Sequence, residues 1–399
     1  MDGNNGNNSR FIGLDLLRFA LTMVVLCAHA NNFGNAANVF TKTPGEFGKI
    51  LAAISGAGWV AVDVFFVLSG FLVSGLLFNE AGRTGAVDIR KFLIRRAFKI
   101  YPGFWVMLAC SIILILWHHG SVLLGALLEL FYLQNYGYSI CFHTWSLAVE
   151  EHFYFLLAAI FLIVRWRTRP NRRLDFNFIP NLFLATAVLC LLLRFVTWWV
   201  ILSPNNQQMA LFIHADHALL DSLFFGVLLS HYWNNCWDDS IKTRIISLRW
   251  PLAMAGLCLL APGLVPVMET QWFNIFGFIL IYLGAGCLLL SCLSLDYRPH
   301  PRFLKRIAWL GKHSYSVYLW HILAGTCLFP LISPNLDSPF GWFLDTLIYF
   351  TLSWSVGILM DRLIESPMLR IRDRLFPSNQ AITAPSSRSA PAVLTAFES

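Results

Sequence analysis

Long apolar runs recur along the whole chain, and they constrain its fold more than any other feature. A membrane-spanning helix needs about 20 mostly apolar residues. Segments of this kind lie at roughly 11–30, 58–79, 98–117, 147–166, 181–202, 210–232, 250–267, 273–293, 310–331 and 341–362. Only 13% of the residues are charged, about half the share in an average soluble domain. We therefore predict an all-α polytopic integral membrane protein with about ten transmembrane helices.

The distribution of Lys and Arg predicts how these helices are oriented. Lys42 and Lys49 are the only basic residues in the predicted loops on one side, and Arg18, Arg194 and Lys312 fall within spans. Every other Lys and Arg lies in segments that ten alternating spans place on the opposite side. Because basic residues gather on the cytoplasmic side, we predict that both termini are cytoplasmic. The net charge of +7 then reflects topology, and we expect no nucleic-acid partner.

The domain organisation is simple. We predict one membrane domain at 11–375, preceded by a disordered Asn- and Gly-rich segment at 1–10 and followed by a disordered tail at 376–399. Residues 121–134 are apolar but too short to span, so we expect an interfacial or re-entrant segment there. We detect no internal repeat.

The first predicted span carries ionisable residues on one face. Arg18 and His29 are eleven residues apart, which places them within about 20° of each other and about 16 Å apart along the helix axis. Asp15 lies one turn before Arg18 and can pair with it. Ionisable residues inside a span usually mark a functional cavity, and the unperturbed pKa of histidine suits a general base. The alternative is a structural Asp–Arg pair plus an interfacial histidine.

Two further segments admit a structural and a functional interpretation. In the second span, Ser69 and Gly70 would let another helix approach closely, and Asp63 is either a satisfied carboxylate or a functional one. At the start of the fourth span, Thr144 or Ser146 could cap the helix. Glu150 there either complements the helix dipole or orients His29 as a base.

A cationic cluster precedes the third span, and it also has two interpretations. Arg95, Arg96 and Lys99 could simply fix the topology, or they could bind phosphate groups. The segment 214–217 contains two histidines and an aspartate but lacks further ligands, and the nine cysteines form no CxxC pair. We therefore predict no metal site.

Several short motifs occur together and in a fixed order. They are GLDLLRFALTMVVLCAH, WVAVDVFFVLSGFLVSGLL, RRAFKIYP, HTWSLAVEEHFYFLL, DSLFFGVLLS, HSYSVYLWH and ESPMLR. Over roughly residues 11–375 the chain resembles the membrane-bound acyltransferase-3 family. The resemblance implies an enzyme of the bacterial inner membrane that transfers an acyl group, here acetyl, to a hydroxyl of a glycan or glycolipid. The donor would be acyl-CoA, used as a co-substrate, with no cofactor bound permanently.

The resemblance also implies roles for individual residues. His29 would be the catalytic residue, with Arg18 as its partner and Asp15 beside it. The donor-binding region and the second active-site motif would comprise Arg95, Arg96, Lys99, Trp145, Ser146, Glu150 and Glu151.

The chain departs from the family pattern at two of these positions. Lys99 stands where a third Arg is usual. Leu219 replaces a common Arg ahead of Asp221, so we expect a charge pair on the sixth span to be missing.

A second class of function also fits the residues. A transporter or exporter of polysaccharide or of a small solute would equally combine about ten spans with embedded Arg, Asp and His. Such carriers usually show repeated halves with broken helices at matching positions. The absence of a visible repeat favours the enzyme.

Overall fold

A computed structural model describes residues 11–118, 121–168, 174–197, 219–264, 273–297 and 299–377. These residues are largely helical, and no β-strand occurs among them. Outside the described residues lie the predicted disordered segment at 1–10, all but the first two residues of the predicted disordered tail at 376–399, the segment 214–217 and the start of the predicted sixth span.

The α-helices are numbered in chain order over the described residues. They are α1 (Ile12–Ala30), α2 (Asn38–Thr41), α3 (Gly45–Gly56), α4 (Gly58–Thr84), α5 (Ile89–Trp117), α6 (Leu123–Leu130), α7 (Trp145–Arg167), α8 (Ile179–Val196), α9 (Leu220–His231), α10 (Asp239–Ser247), α11 (Arg249–Leu260), α12 (Phe278–Leu293), α13 (Arg302–Gly311), α14 (Ser314–Cys327), α15 (Phe329–Ile332), α16 (Pro339–Met360) and α17 (Ser366–Leu375).

The predicted class is confirmed. Within the described ranges, seven helical segments are long and apolar enough to cross a membrane, and an eighth is added if a pair bent by 67° counts as one span. The chain is therefore a helical multi-pass membrane protein. Two further predicted spans coincide with α9 and α14, whose 12 and 14 residues are too short to span alone. The total of ten spans and the cytoplasmic termini stay predictions. The inner side of the bundle is the side predicted to face the cytoplasm.

Helix α4 lies at the centre of the bundle. Its most apolar window is 78% buried, and it packs against α9, α1 and α12. A Cβ atom added at Gly70 would collide with the backbone carbonyl of Leu223, and one added at Gly226 would collide with that of Val67. These two glycines therefore let the backbones of α4 and α9 touch, which confirms the close approach predicted at Gly70.

The segment at 121–134 does not form a span. It contains α6, whose eight residues extend only about 12 Å. Glu129 on this helix is buried and accepts hydrogen bonds from the Cys141 amide and the hydroxyls of Ser139 and Thr144, each at 2.8 Å. Burial raises the pKa of Glu129. The hydroxyl of Thr144 is thus engaged by Glu129 and does not cap α7, so that predicted cap is wrong.

Candidate active site

The ionisable face of α1 is arranged as its spacing predicts. Arg18 Nη1 lies 2.8 Å from Asp15 Oδ1, and both side chains line a cavity within the bundle. Asp15 is buried, whereas 22% of the Arg18 side chain is exposed. Arg18 is therefore the more accessible member of the pair.

This cavity has a volume of about 690 Å³ and lies between α1, α4, α5, α7, α13, α14 and the C-terminal helices. Four of its lining side chains carry a positive charge: Arg18, Arg96, Lys99 and Lys312. Its carboxyl-bearing side chains are Asp15, Glu150, Asp361 and Glu365. Cations and carboxyl groups therefore share the lining, and the cations lie in the part of the cavity nearer the predicted inner side.

The residues of the cationic cluster do not all face the cavity. Arg96 and Lys99 line the cavity, but Arg95 is not among its lining residues in the described structure. Arg95 Nη2 lies 3.0 Å from Asp373, and its Nη1 donates to the carbonyl of Phe376. Successive residues of a helix point about 100° apart, so the side chains of Arg95 and Arg96 leave the helix in different directions. Arg96 and Lys99 are therefore open to a ligand in the cavity, whereas Arg95 contacts the C-terminal helix.

Glu150 has partners other than the predicted one. It accepts a hydrogen bond of 2.8 Å from the Tyr154 hydroxyl, which itself accepts one of 2.8 Å from Ser69. The guanidinium of Arg96 lies 5.2 Å from the centre of the Tyr154 ring. The predicted contact of Glu150 with His29 is wrong, because Glu150 lies more than one helical turn inward from the start of α7 and faces the cavity.

His29 is oriented instead by a second histidine. Its Nδ1 lies 2.7 Å from Nε2 of His321, and the two rings stack with centroids 4.8 Å apart. His321 Nδ1 lies 2.7 Å from the Tyr318 carbonyl, so Nδ1 must carry the proton and Nε2 must accept. His29 therefore donates through Nδ1, and its Nε2 carries the lone pair of a base.

Two aromatic residues complete the surroundings of this pair. The ring centroid of His143 lies 5.3 Å from that of His321, and His143 Nε2 lies 3.1 Å from the Leu319 carbonyl. Phe142 meets His29 edge-on with centroids 5.5 Å apart and is 52% exposed. His321 is the last residue of the motif HSYSVYLWH, and the sequence assigned it no role. A histidine within a span was the available signal, but the helix that it faces could not be read from the sequence.

Hydroxyl groups separate the histidines from the cavity. The Tyr318 hydroxyl donates to the His143 carbonyl, so the Ser146 hydroxyl, 2.6 Å away, must donate to Tyr318. Ser146 and Tyr318 line the cavity, whereas the three histidines are not among the described lining residues. The cavity thus ends one layer of side chains short of His29.

The other members of the second motif lie behind this layer. Trp145 packs edge-on against Phe66 with ring centroids 6.0 Å apart. Glu151 is buried and accepts a hydrogen bond of 2.8 Å from Tyr101. Neither is among the cavity-lining residues of the described structure. Of this motif, Ser146 and Glu150 reach the cavity, while Trp145 and Glu151 support its wall.

Asp221 has a cationic partner, although Leu219 cannot supply one from the sixth span. Arg194 on α8 places Nη2 2.7 Å from Asp221 Oδ1 on α9, and both side chains are almost fully buried. The guanidinium also lies 4.4 Å from the Phe278 ring centre. The pair within the sixth span is therefore missing, as expected, and the fifth span supplies the partner of Asp221 instead.

Comparison with known proteins agrees with this architecture. The sequence profile of the acyltransferase-3 family, described as an acyltransferase domain, matches residues 11–362. The chain therefore belongs to this family of membrane acyltransferases.

Two curated relatives carry more specific names. The peptidoglycan O-acetyltransferase OatA of Listeria monocytogenes is 25% identical over 338 residues, which are 78% of this chain and 51% of that protein. The O-acetyltransferase OatA of Staphylococcus aureus is 25% identical over 291 residues, 66% of this chain and 45% of that protein. The chain thus spans about half the length of the curated relatives it matches. No solved structure matches the chain.

Proposed function

We propose that this protein transfers an acetyl group from acetyl-CoA to a hydroxyl of a cell-envelope glycan or glycolipid. The donor enters from the cytoplasm, and the acceptor meets His29 on the outer side of a bacterial inner membrane. The observation that carries this proposal is the alignment of a cavity with a histidine. A cavity with cationic side chains at its inner end stops just below a histidine whose Nε2 is free to act as a base.

The reaction that fits this arrangement is direct acyl transfer. Nε2 of His29 takes the proton of the acceptor hydroxyl while the oxygen attacks the thioester carbonyl. The C–S bond then breaks, and the thiolate of CoA takes that proton from the imidazolium. The products are an acetyl ester and the free thiol of CoA. His321 holds His29 in the correct tautomer, the role that a carboxylate plays in a Ser–His–Asp triad.

The cations of the cavity suit the donor rather than the acceptor. Acyl-CoA carries phosphates at one end and its thioester at the other. Arg18 lies about 16 Å below His29 along α1, and Arg96 and Lys99 also lie in the wall of the cavity. We infer that these side chains bind the phosphates, and that the pantetheine arm extends outward past Ser146 and Tyr318.

The acceptor class follows from the family and from the relatives. Both relatives described above are named O-acetyltransferases, and the Listeria protein is named for peptidoglycan. Phe142 offers an exposed aromatic ring beside His29, which suits contact with the apolar face of a sugar.

The test uses the protein in proteoliposomes with isotope-labelled acetyl-CoA and a mixture of cell-envelope glycans. We expect His29→Ala to abolish label transfer to the glycans while inserting normally. His118→Ala, which alters an exposed histidine at the end of α5, serves as the control and should retain activity. Full transfer by the His29 variant, or none from acetyl-CoA by the wild type, contradicts the proposal. Label on the protein itself without acceptor would replace direct transfer with an acyl-histidine route.

A further inference from the structure

An aromatic side chain lies at the inner rim of the cavity. A position at the membrane interface does not by itself explain why this side chain faces the cavity. Trp309, near the end of α13, is 40% exposed and lines the cavity. Tryptophans at a membrane interface commonly act as anchors that face the lipid headgroups. Trp250 has the exposure of such an anchor, at 69%, and is not among the described cavity-lining residues.

The indole of Trp309 is held in place by a chain of contacts. Its ring meets the imidazole of His313 at 68°, with centroids 4.7 Å apart. His313 Nδ1 in turn lies 3.2 Å from Asp361 Oδ2. An aromatic ring fixed at a cavity rim with two-fifths of its surface exposed has the form of a stacking surface for a flat ligand.

Cations lie close to this ring. Lys312 follows it by three residues, so the two side chains share one helical face, and Lys312 is exposed and lines the cavity. Arg302, Lys305 and Arg306 on α13 are also exposed. A planar base together with phosphates is what such a combination of an aromatic ring and cations binds.

We propose that Trp309 stacks on the adenine of the acyl-CoA donor, and that Lys312 binds the phosphates of the attached nucleotide. The nucleotide then stays at the inner rim while the pantetheine arm follows the cavity outward. The separation along α1 between Phe11 at this rim and His29 is about 27 Å, so the nucleotide and the thioester occupy opposite ends of an extended donor. This inference rests on the proposed function and adds to it the residues that select CoA among thioesters.

The test compares donors that differ only at the nucleotide end. Initial rates are measured with acetyl-CoA and with S-acetyl-4′-phosphopantetheine, which lacks the nucleotide. We expect Trp309→Ala to raise the KM for acetyl-CoA about tenfold, the loss typical of one base–aromatic stack. The KM for the truncated donor should not change. Trp309→Phe keeps an aromatic ring and should restore most of the affinity, whereas Trp250→Ala should leave both donors unaffected.

An inhibition experiment tests the inference even if Trp309→Ala folds poorly. Adenosine 3′,5′-bisphosphate, the nucleotide portion of CoA, should inhibit the wild type competitively against acetyl-CoA, and Lys312→Ala should weaken that inhibition. An equal KM change for both donors, or no change for either, overturns the inference while leaving the transferase itself intact. Failure of the wild type to use acetyl-CoA would instead overturn the proposed function.

Discussion

At the scale of single residues, the candidate site depends on which polar side chains meet. The spacing in α1 determined that Asp15 pairs with Arg18, because both residues belong to one helix. The partner of His29 is 292 positions away in the sequence, and it is His321 rather than Glu150. Arg194 likewise finds Asp221 on a neighbouring helix. Buried charges of this kind are paired because an isolated charge in the membrane interior is costly, but the cost does not specify the partner.

The role of His321 leads to a prediction at this scale. His321→Leu removes the acceptor that holds His29 in one tautomer, so we expect kcat to fall about 10²-fold or more while the KM for acetyl-CoA stays within about twofold. Initial-rate kinetics in detergent measure both quantities. His152→Leu makes the same replacement at a half-buried histidine that stacks on Tyr136, and it should retain activity. A rise in KM without loss of kcat would contradict an orienting role.

At the scale of elements, two helices depend on glycine for their contact. Gly70 and Gly226 bring the backbones of α4 and α9 together, and Ser69 next to Gly70 meets Tyr154 of α7. The close crossing therefore also sets the position of a wall of the cavity. The sequence predicted that Gly70 would admit a helix, but it did not predict which one.

This crossing gives a prediction with a control in the same helix. Gly70→Ala places a Cβ atom against a backbone carbonyl that cannot move aside, so we expect destabilisation of about 1–3 kcal/mol and a lower melting temperature in detergent. A Cβ atom added at Gly82 would meet no atom within 4 Å, and Gly82→Ala should leave the melting temperature unchanged or slightly raised. Equal effects of the two changes would exclude close packing at Gly70 as the cause.

The third predicted span illustrates a limit at this scale. The basic residues at 95–99 were assigned to a loop, yet α5 runs unbroken from Ile89 to Trp117 with Pro102 inside it. The apolar pattern marks where a helix can enter lipid, and it does not mark where the helix begins. The cations therefore lie on a rigid helix, which explains why Arg95 and Arg96 face different partners.

At the scale of the whole molecule, function depends on orientation across the membrane. The proposed donor enters at the end that carries Arg96, Lys99 and Lys312, and the acceptor reaches the end that carries His29. The arrangement of basic residues predicts that the first end is cytoplasmic. Reversal of the protein in the membrane would put the nucleotide-binding rim on the side without acetyl-CoA.

The orientation can be measured directly. Lys49 and Arg90 are both exposed, and each is replaced by cysteine in a background from which the nine native cysteines have been removed. In right-side-out vesicles we expect a membrane-impermeant maleimide to label Lys49→Cys at once. Arg90→Cys should be labelled only after permeabilisation. The opposite pattern would reverse the predicted topology and with it the direction of transfer.

The sequence by itself determined the membrane class, the predicted orientation, the Asp15–Arg18 pair and the residues from which the site is built. These properties follow from local composition and from the geometry of one helix, which a linear pattern records. Only the tertiary structure decided that His321 orients His29, that Arg194 compensates for Leu219 and that Arg95 turns away from the cavity. Lipid tails are as apolar as the helix surfaces, so the hydrophobic effect does not favour one neighbouring helix over another. These partners therefore depend on close packing between helices that are distant in the sequence.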